Sequence, residues 1–438
     1  MYRSTMVTLI CFWAFFAQAT EGEGGWPQWR GPYGSGVAAS GSPPVQWSET
    51  QNIRWKKEIP GLGLATPVIW ENRLYLLTAV ATEEMVDQAP KADGRRSWMK
   101  PIVPDRVYLY QILALDRSSG EIVWQDTAIR KVPHETTHGD ASWASNSPVT
   151  DGEVLIASFG SAGILGYDLQ GKRLWKVDLG DMRTRNGFGE GSSPAIHGER
   201  VIVNWDHEDQ SFIVALNKKS GEEIWRTQRD EPTSWSTPVV VEHGGRTQVI
   251  VSATNRVRGY DFQSGQEIWS CGGMTLNTIP SPIVRDGVVY VASGFRGSAV
   301  MAIDLDKAKG DVTGTDAVLW HHDRDTPYVP SILLYNDSLY FIKSNNAILS
   351  VFDVRSGKAQ YGPTRLEGIN GIYASPVAAD GKVYIVGRRG NMMVLEHGNQ
   401  FKVLATNTLE DRFDASPAIV GDTLYLRGHK HLYSISAN

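Results

Sequence analysis

The chain of 438 residues is nearly without cysteine: it has two, Cys11 and Cys271. Cys11 lies inside an N-terminal apolar run, so a mature exported chain keeps Cys271 alone and has no internal disulfide. Stability must then come from packing. A basic excess is also missing. The formal charge of −5 excludes the cationic surface that holds a phosphate backbone, and nucleic acid with it. After the N-terminus there is no long amphipathic helical pattern and no transmembrane segment. Glycine and tryptophan are abundant, at 44 and 15 residues. Both suit an all-β chain with many turns and large buried rings.

The first residues read as a targeting segment. MYRST carries one positive charge, MVTLICFWAFFA has the length of a signal h-region, and Ala17-Gln18-Ala19 offers a small-x-small cleavage site. A signal peptide over 1–19 and export to the periplasm or the extracellular space are expected, with an uncleaved anchor as the alternative.

Self-similarity organises the remainder. A Ser/Thr-Pro pair followed by apolar residues appears in ATPVIW (65–70), SNSPVT (145–150), GSSPAI (191–196), WSTPVV (235–240), IPSPIV (279–284), YASPVA (373–378) and DASPAI (414–419). VPSILL (329–334) takes the place of an eighth copy, with Ile332 at the proline position. Successive copies lie 81, 46, 44, 44, 50, 44 and 41 residues apart, the first interval holding an insertion. Each is followed by a turn and an alternating apolar segment, as in DGEVLIA and DGKVYIV. A third element, ALDRSSGEIVW (114–124), recurs as GYDLQGKRLW, ALNKKSGEEIW, GYDFQSGQEIW and VFDVRSGKAQY, and is interrupted across 302–320. It reads as strand, tight turn, strand: Asp bonds turn amides, Gly takes the left-handed position, and the aromatic ends the outer strand.

Four strands per unit at this period define a β-propeller blade. The predicted fold class is all-β, an eight-bladed β-propeller of four-stranded blades. The last unit, 414–438, lacks its Trp strand, and NIRWKKEIP (52–60) supplies one, which leaves no open sheet edge. Sevenfold packing with a stray unit is the alternative. The expected organisation is a leader at 1–19, a strap at 20–51 and a propeller at 52–438, with an insertion at about 80–107. Trp55, Trp124, Trp175, Trp225, Trp269 and Trp320, with Tyr361, are predicted to dock between neighbouring blades.

The A-x-D-x-x-(S/T)-G-x-x-x-W pattern resembles the tryptophan-docking repeat of pyrroloquinoline quinone (PQQ)-type propellers, over roughly residues 45–438. WPQWRGPYGSG (26–36) resembles the lead-in of exported members. The resemblance implies the propeller fold and two classes of function. One is the quinoprotein alcohol and glucose dehydrogenases. The other is non-catalytic propellers, such as the lipoprotein that assists outer-membrane barrel assembly. The dehydrogenases use adjacent cysteines beside the cofactor and a carboxylate–Asn calcium cluster with a catalytic Asp. A mature chain with one cysteine lacks the first, and no set at matching positions supplies the second. The expectation is an exported, monomeric binding or scaffold module for a protein or carbohydrate partner on the loop face, without catalytic residues or cofactor. A quinoprotein-like oxidoreductase using PQQ and calcium is the alternative.

Propeller ligands sit on the loops joining strands 2–3 and 4–1. The 2–3 loops place Arg256, Arg258, Arg296, Lys343, Arg388 and Arg389 around the channel mouth. This is either a cationic arc that holds an anion or a set of ordinary solvated turns. The 4–1 loops carry aromatics before the proline: Trp143, Trp235, Tyr328, Tyr373 and Phe413. These either stack on a flat ligand or plug the channel as core.

HETTHGD (134–140) matches H-E-x-x-H, the zinc-protease pattern. That pattern binds zinc because a helix puts i and i+4 on one face. Here Pro133 precedes it, Gly139 follows it, and two threonines weaken helix preference. It is predicted to be a loop at the blade one–blade two junction. No metal ligands are assigned, and His134, His138 and Asp140 stand as contact residues or an adventitious metal group.

Overall fold

The computed structural model describes residues 25–87 and 101–437. The leader, the start of the strap and the KADGRRSWMK part of the blade-one insertion lie outside the described residues. The chain forms eight sheets arranged as a β-propeller, each with four antiparallel strands; seven run in sequence order, the eighth takes its outer strand from the start of the propeller chain, and one carries a short fifth strand paired in parallel. Blade one consists of Val68–Trp70, Arg73–Met85, Arg106–Asp116 and Ile122–Lys131. Blade eight consists of Ala418–Val420, Thr423–Arg427 and His431–Ile435, with Ile53–Glu58 as its outer strand. Ile53 pairs with Ile435 and Glu58 with His431, so both ends of the propeller chain close one sheet.

The second strands do not alternate between buried and exposed positions, although their sequences suggest it. Val154–Ser158 is buried at every residue, as is Ser338–Ile342. Each sheet is packed on both faces by its neighbours, so both sides of the pleat are core. Alternation appears in outer strands such as Ile53–Glu58, where one side meets water.

The Ser/Thr-Pro pair has a structural cause. Ser147 Oγ accepts from the Thr66 amide at 3.0 Å, and Ser193 Oγ from the Ser147 amide at 2.8 Å. The chain of bonds continues through Thr237, Ser281, Ser331 and Ser375 to Ser416. Each hydroxyl thus takes the amide of the preceding blade, and the proline that follows needs no acceptor. The Thr66 hydroxyl is buried without a partner, so this ring of bonds breaks between blades eight and one.

The docking tryptophans repeat one contact. Trp55 Nε1 donates to the Arg117 carbonyl at 3.0 Å, Trp124 to Leu169 at 3.2 Å, Trp175 to Lys218 at 2.8 Å, Trp225 to Phe262 at 3.0 Å and Trp320 to Val354 at 3.1 Å. The acceptor always follows the turn Asp or Asn of the next blade. The ring lies on that turn's glycine: a Cβ at Gly171 would stand 2.7 Å from the Trp124 ring, and Gly171 has φ +91°. Glycine is therefore required twice, by conformation and by contact. Trp269 departs from the pattern. It donates to Gln248 Oε1 of its own blade at 2.8 Å. Blade five replaces the docking turn with an insertion, and Gly310–Asp311 of that insertion pairs in parallel with Trp269 and Ser270.

The strap runs across the propeller. Trp26 exchanges backbone bonds with Ile69 of blade one, and the Pro27 carbonyl accepts from Thr150 of blade two. Trp29 Nε1 reaches Ser281 of blade five at 3.1 Å. The buried Arg30 guanidinium donates to the Ile332 and Pro376 carbonyls of blades six and seven, at 2.9 and 2.7 Å. No carboxylate among the described residues pairs with it, and burial pulls its pKa down to about 9.

Candidate functional site

Where the inner strands begin, the blades enclose a cavity of about 710 Å³. Trp29 of the strap lines it, together with the hydroxyl-bearing residues of the Ser/Thr ring. Its walls are the 4–1 loops together with the 2–3 loop of blade five. Trp235, Tyr328 and Tyr373 line it, as do Phe188 and Phe295. Phe295 and Tyr328 stack with centroids 4.9 Å apart. Trp143 and Phe413 do not face it. Trp143 packs on Tyr108 at 4.6 Å, and Phe413 is wholly buried against Tyr433. The aromatics that looked alike in sequence divide into a lining set and a core set.

The cationic arc divides as well. Arg256 pairs with Asp311 at 2.5 Å. Arg258 is buried among Glu231, Asp230 and Glu267. Lys343 pairs with Asp325 at 2.5 Å. Arg388 lies over the Tyr373 ring at 3.7 Å and bonds Asp140 at 2.6 Å and Asp414 at 2.5 Å. Arg412 and His429 complete that network on Asp140 and Asp414. Four of the six arc cations are thus neutralised inside the protein. Arg389 and Arg296 carry no ion pair among the described residues, and Arg296 lines the cavity beside the Phe295 ring. Arg185, on the blade two–three loop, also lines the cavity and also carries no ion pair among the described residues. A sequence scan limited to 2–3 loops assigns it no role in the arc, because it sits on a 4–1 loop. Asn277 also lines the cavity, buried and with its Oδ1 unpartnered.

HETTHGD contains no helix; it is a bend with one bridge, Thr137 to Ile102. The geometry that makes H-E-x-x-H a zinc motif is absent. Its residues instead bind the 182–190 loop rung by rung. His134 Nε2 lies 2.7 Å from the Met182 carbonyl, Thr136 donates to Gly187 at 3.1 Å, Thr137 to Phe188 at 3.2 Å, and the His138 amide to Phe188 at 3.1 Å. The sequence grouped His134, His138 and Asp140. The structure separates them: His138 and Asp140 line the cavity, while His134 and Glu135 stand beside Glu190. Glu135 accepts the Thr184 hydroxyl at 2.6 Å and amide at 3.1 Å; Glu190 accepts the Ser161 hydroxyl at 2.5 Å and amide at 2.7 Å. Burial raises the Glu135 pKa to about 7 and that of Glu190 to about 8, against the opposing pull of these bonds. No sequence spacing brings Glu190 to this pair; two loops from successive blade junctions do.

These features define a PQQ-like propeller, and the comparisons agree. Residues 24–203, 109–359 and 209–438 match the family described as outer membrane protein assembly factor BamB. The chain belongs to this family. It is 24% identical over 252 residues to outer membrane protein assembly factor BamB of Yersinia pestis, covering 51% of this chain and 58% of that protein. It is 21% identical over 361 residues to tetrathionate hydrolase of Acidithiobacillus ferrooxidans, covering 77% and 65%. The matched stretches therefore span less than two thirds of these relatives. Among solved structures, a europium-containing methanol dehydrogenase superposes with TM-score 0.67 at 10% identity, covering 95% of this chain and 98% of that one. At that identity the likeness is one of fold. No helix among the described residues is long and apolar enough to cross a membrane.

Proposed function

We propose that the protein is an exported propeller that binds a protein or carbohydrate partner at its channel mouth. One observation carries the reading. The cavity joins flat aromatic faces to two guanidiniums, Arg185 and Arg296, whose charge no carboxylate among the described residues offsets. Such a surface offers stacking and directed hydrogen bonds to a ligand that enters from the loop face. The BamB name of the matched family and of a matched relative supports a binding role.

The quinoprotein reading fits the cavity less well. Of the carboxylates that line the cavity, Asp140 and Asp414 are engaged by Arg388 and Arg412, and Glu190 is held by Ser161. The described cysteine, Cys271, is buried in the core of blade four. The dehydrogenase set of paired cysteines and calcium ligands has no counterpart in these residues.

The test is a binding screen of the full chain against glycans and extended peptides, with PQQ plus calcium as a separate arm. The expected result is a saturable glycan or peptide ligand whose affinity falls at least about tenfold in the Arg185→Ala/Arg296→Ala protein. The melting temperature should barely move, because Arg296 is exposed, Arg185 is half-buried, and side chains at such positions away from ion pairs contribute within about 0.5 kcal/mol. A spectral shift with PQQ and calcium, accompanied by alcohol oxidation, would overturn the reading.

A further inference from the structure

We infer that His134, Glu135 and Glu190 form a binding site for a divalent transition-metal ion on the channel wall. One ligand-capable atom from each lies within 4.8 Å of the other two. Zinc-type ions bond nitrogen and oxygen at about 2.0–2.2 Å, which sets neighbouring ligands about 3–4 Å apart. Side-chain adjustments of under about 1 Å complete the triad. His134 Nε2 donates to the Met182 carbonyl at 2.7 Å, a bond that an ion on this nitrogen would replace, with the carbonyl oxygen left beside the site.

Two observations favour a metal over an ordinary polar cluster. The first is orientation. Each carboxylate is gripped by the amide and hydroxyl of one residue, Thr184 for Glu135 and Ser161 for Glu190. A carboxylate oxygen with one donor keeps a second lone pair, and ligating carboxylates are held in this way by outer partners. The Glu190 seat is specific: a Cβ on residue 160 would collide with its Oε2, and that residue is glycine at φ +54°. The second is charge. Asp206, Glu231 and Asp414, also buried around this face, each bond an arginine. Glu135 and Glu190 have no Lys or Arg within ion-pair distance among the described residues; Glu190's neighbour at 4.0 Å is His134. Two carboxylates and an imidazole without a cation are a donor set awaiting one. The imidazole favours zinc, manganese or cobalt over calcium or magnesium. Glu190 also lines the cavity, which gives an ion a way in.

The experiment uses the chelator-treated full chain. Zinc, manganese and calcium are titrated by calorimetry, and cobalt by visible absorption. The expected result is one transition ion per chain, bound at least about tenfold more weakly in Glu190→Gln and in His134→Gln, with His138→Ala unchanged. Gln at 190 keeps the acceptor for Ser161, and a thermal melt of each variant confirms folding. If one variant does not fold, the other carries the comparison. No saturable binding, equal binding in wild type and both variants, or loss in His138→Ala alone would each overturn the assignment. None of these outcomes bears on the binding-module reading, which rests on Arg185 and Arg296.

Discussion

The rim of the propeller and its mouth are built from the same repeats but obey different rules. At the rim one contact recurs: a tryptophan from one blade lies on the turn glycine of the next and donates to the carbonyl after the turn Asp or Asn. At the mouth, beyond the Ser/Thr ring, no loop contact recurs. Structurally equivalent loops carry Asp206 buried against Arg229, Arg388 shared between two aspartates, and Arg296 without an ion pair among the described residues. The rim holds the blades together, so every unit needs the same solution. The mouth is free of that duty, and each loop there has its own chemistry. Trp269 marks the boundary: once blade five spends its docking turn on an insertion, the tryptophan finds a partner in its own blade.

Three measurements sharpen the contrast. The largest effect should come from the rim. Trp225→Ala removes a buried ring and its bond to Phe262, and should cost about 3–5 kcal/mol in denaturant unfolding. A loss under about 1 kcal/mol would mean that the blades hold without docking. A smaller loss, about 2–3 kcal/mol, is expected for Asp414→Asn at the mouth, since it leaves Arg388, Arg412 and His429 short of a partner. The figure is discounted because Arg412 is 40% exposed. A double-mutant cycle with Arg388→Met should show coupling, and additivity would dissolve the network. The smallest effect lies in a rim turn. Ser118 and then Ser119 donate to the Asp116 carboxylate and hold its pKa down to about 2. A depressed carboxylate stabilises the fold above its unfolded pKa and loses that contribution as pH falls through about 2. Wild type should therefore exceed Asp116→Asn by on the order of 0.5 kcal/mol at pH 7, with the gap closing towards pH 2. A gap that persists in acid would contradict the assignment.

Much of the rim was legible in the chain. The Asp…Gly…Trp spacing names both partners of the docking contact, because the contact joins the same two positions in five pairs of blades. The Ser/Thr-Pro pair was visible as a pattern, but its role was not. The hydroxyl's donor lies 41 to 81 residues away, in the adjacent blade. The mouth was misjudged where charge was counted without partners. Arg256 looked as free as Arg296, and only the fold shows Asp311 beside it, brought there by the blade-five insertion. Arg185 was legible as a cation on a 4–1 loop, but the arc was drawn from the 2–3 loops, and only the fold brings Arg185 to the same cavity as Arg296.

HETTHGD shows the same division. Its proline, its glycine and its place between two repeat elements were enough to deny it a helix. The chain alone therefore settled the blade count, the closure by Ile53–Glu58 and the loop character of this stretch. These depend on short-range geometry and on a contact repeated many times, and repetition makes both readable. Tertiary structure alone decided which arginines remain unpaired, which aromatics face the cavity, and that His134 and Glu135 meet Glu190. Those facts depend on single encounters between loops distant in sequence, where no period exists to announce the partner.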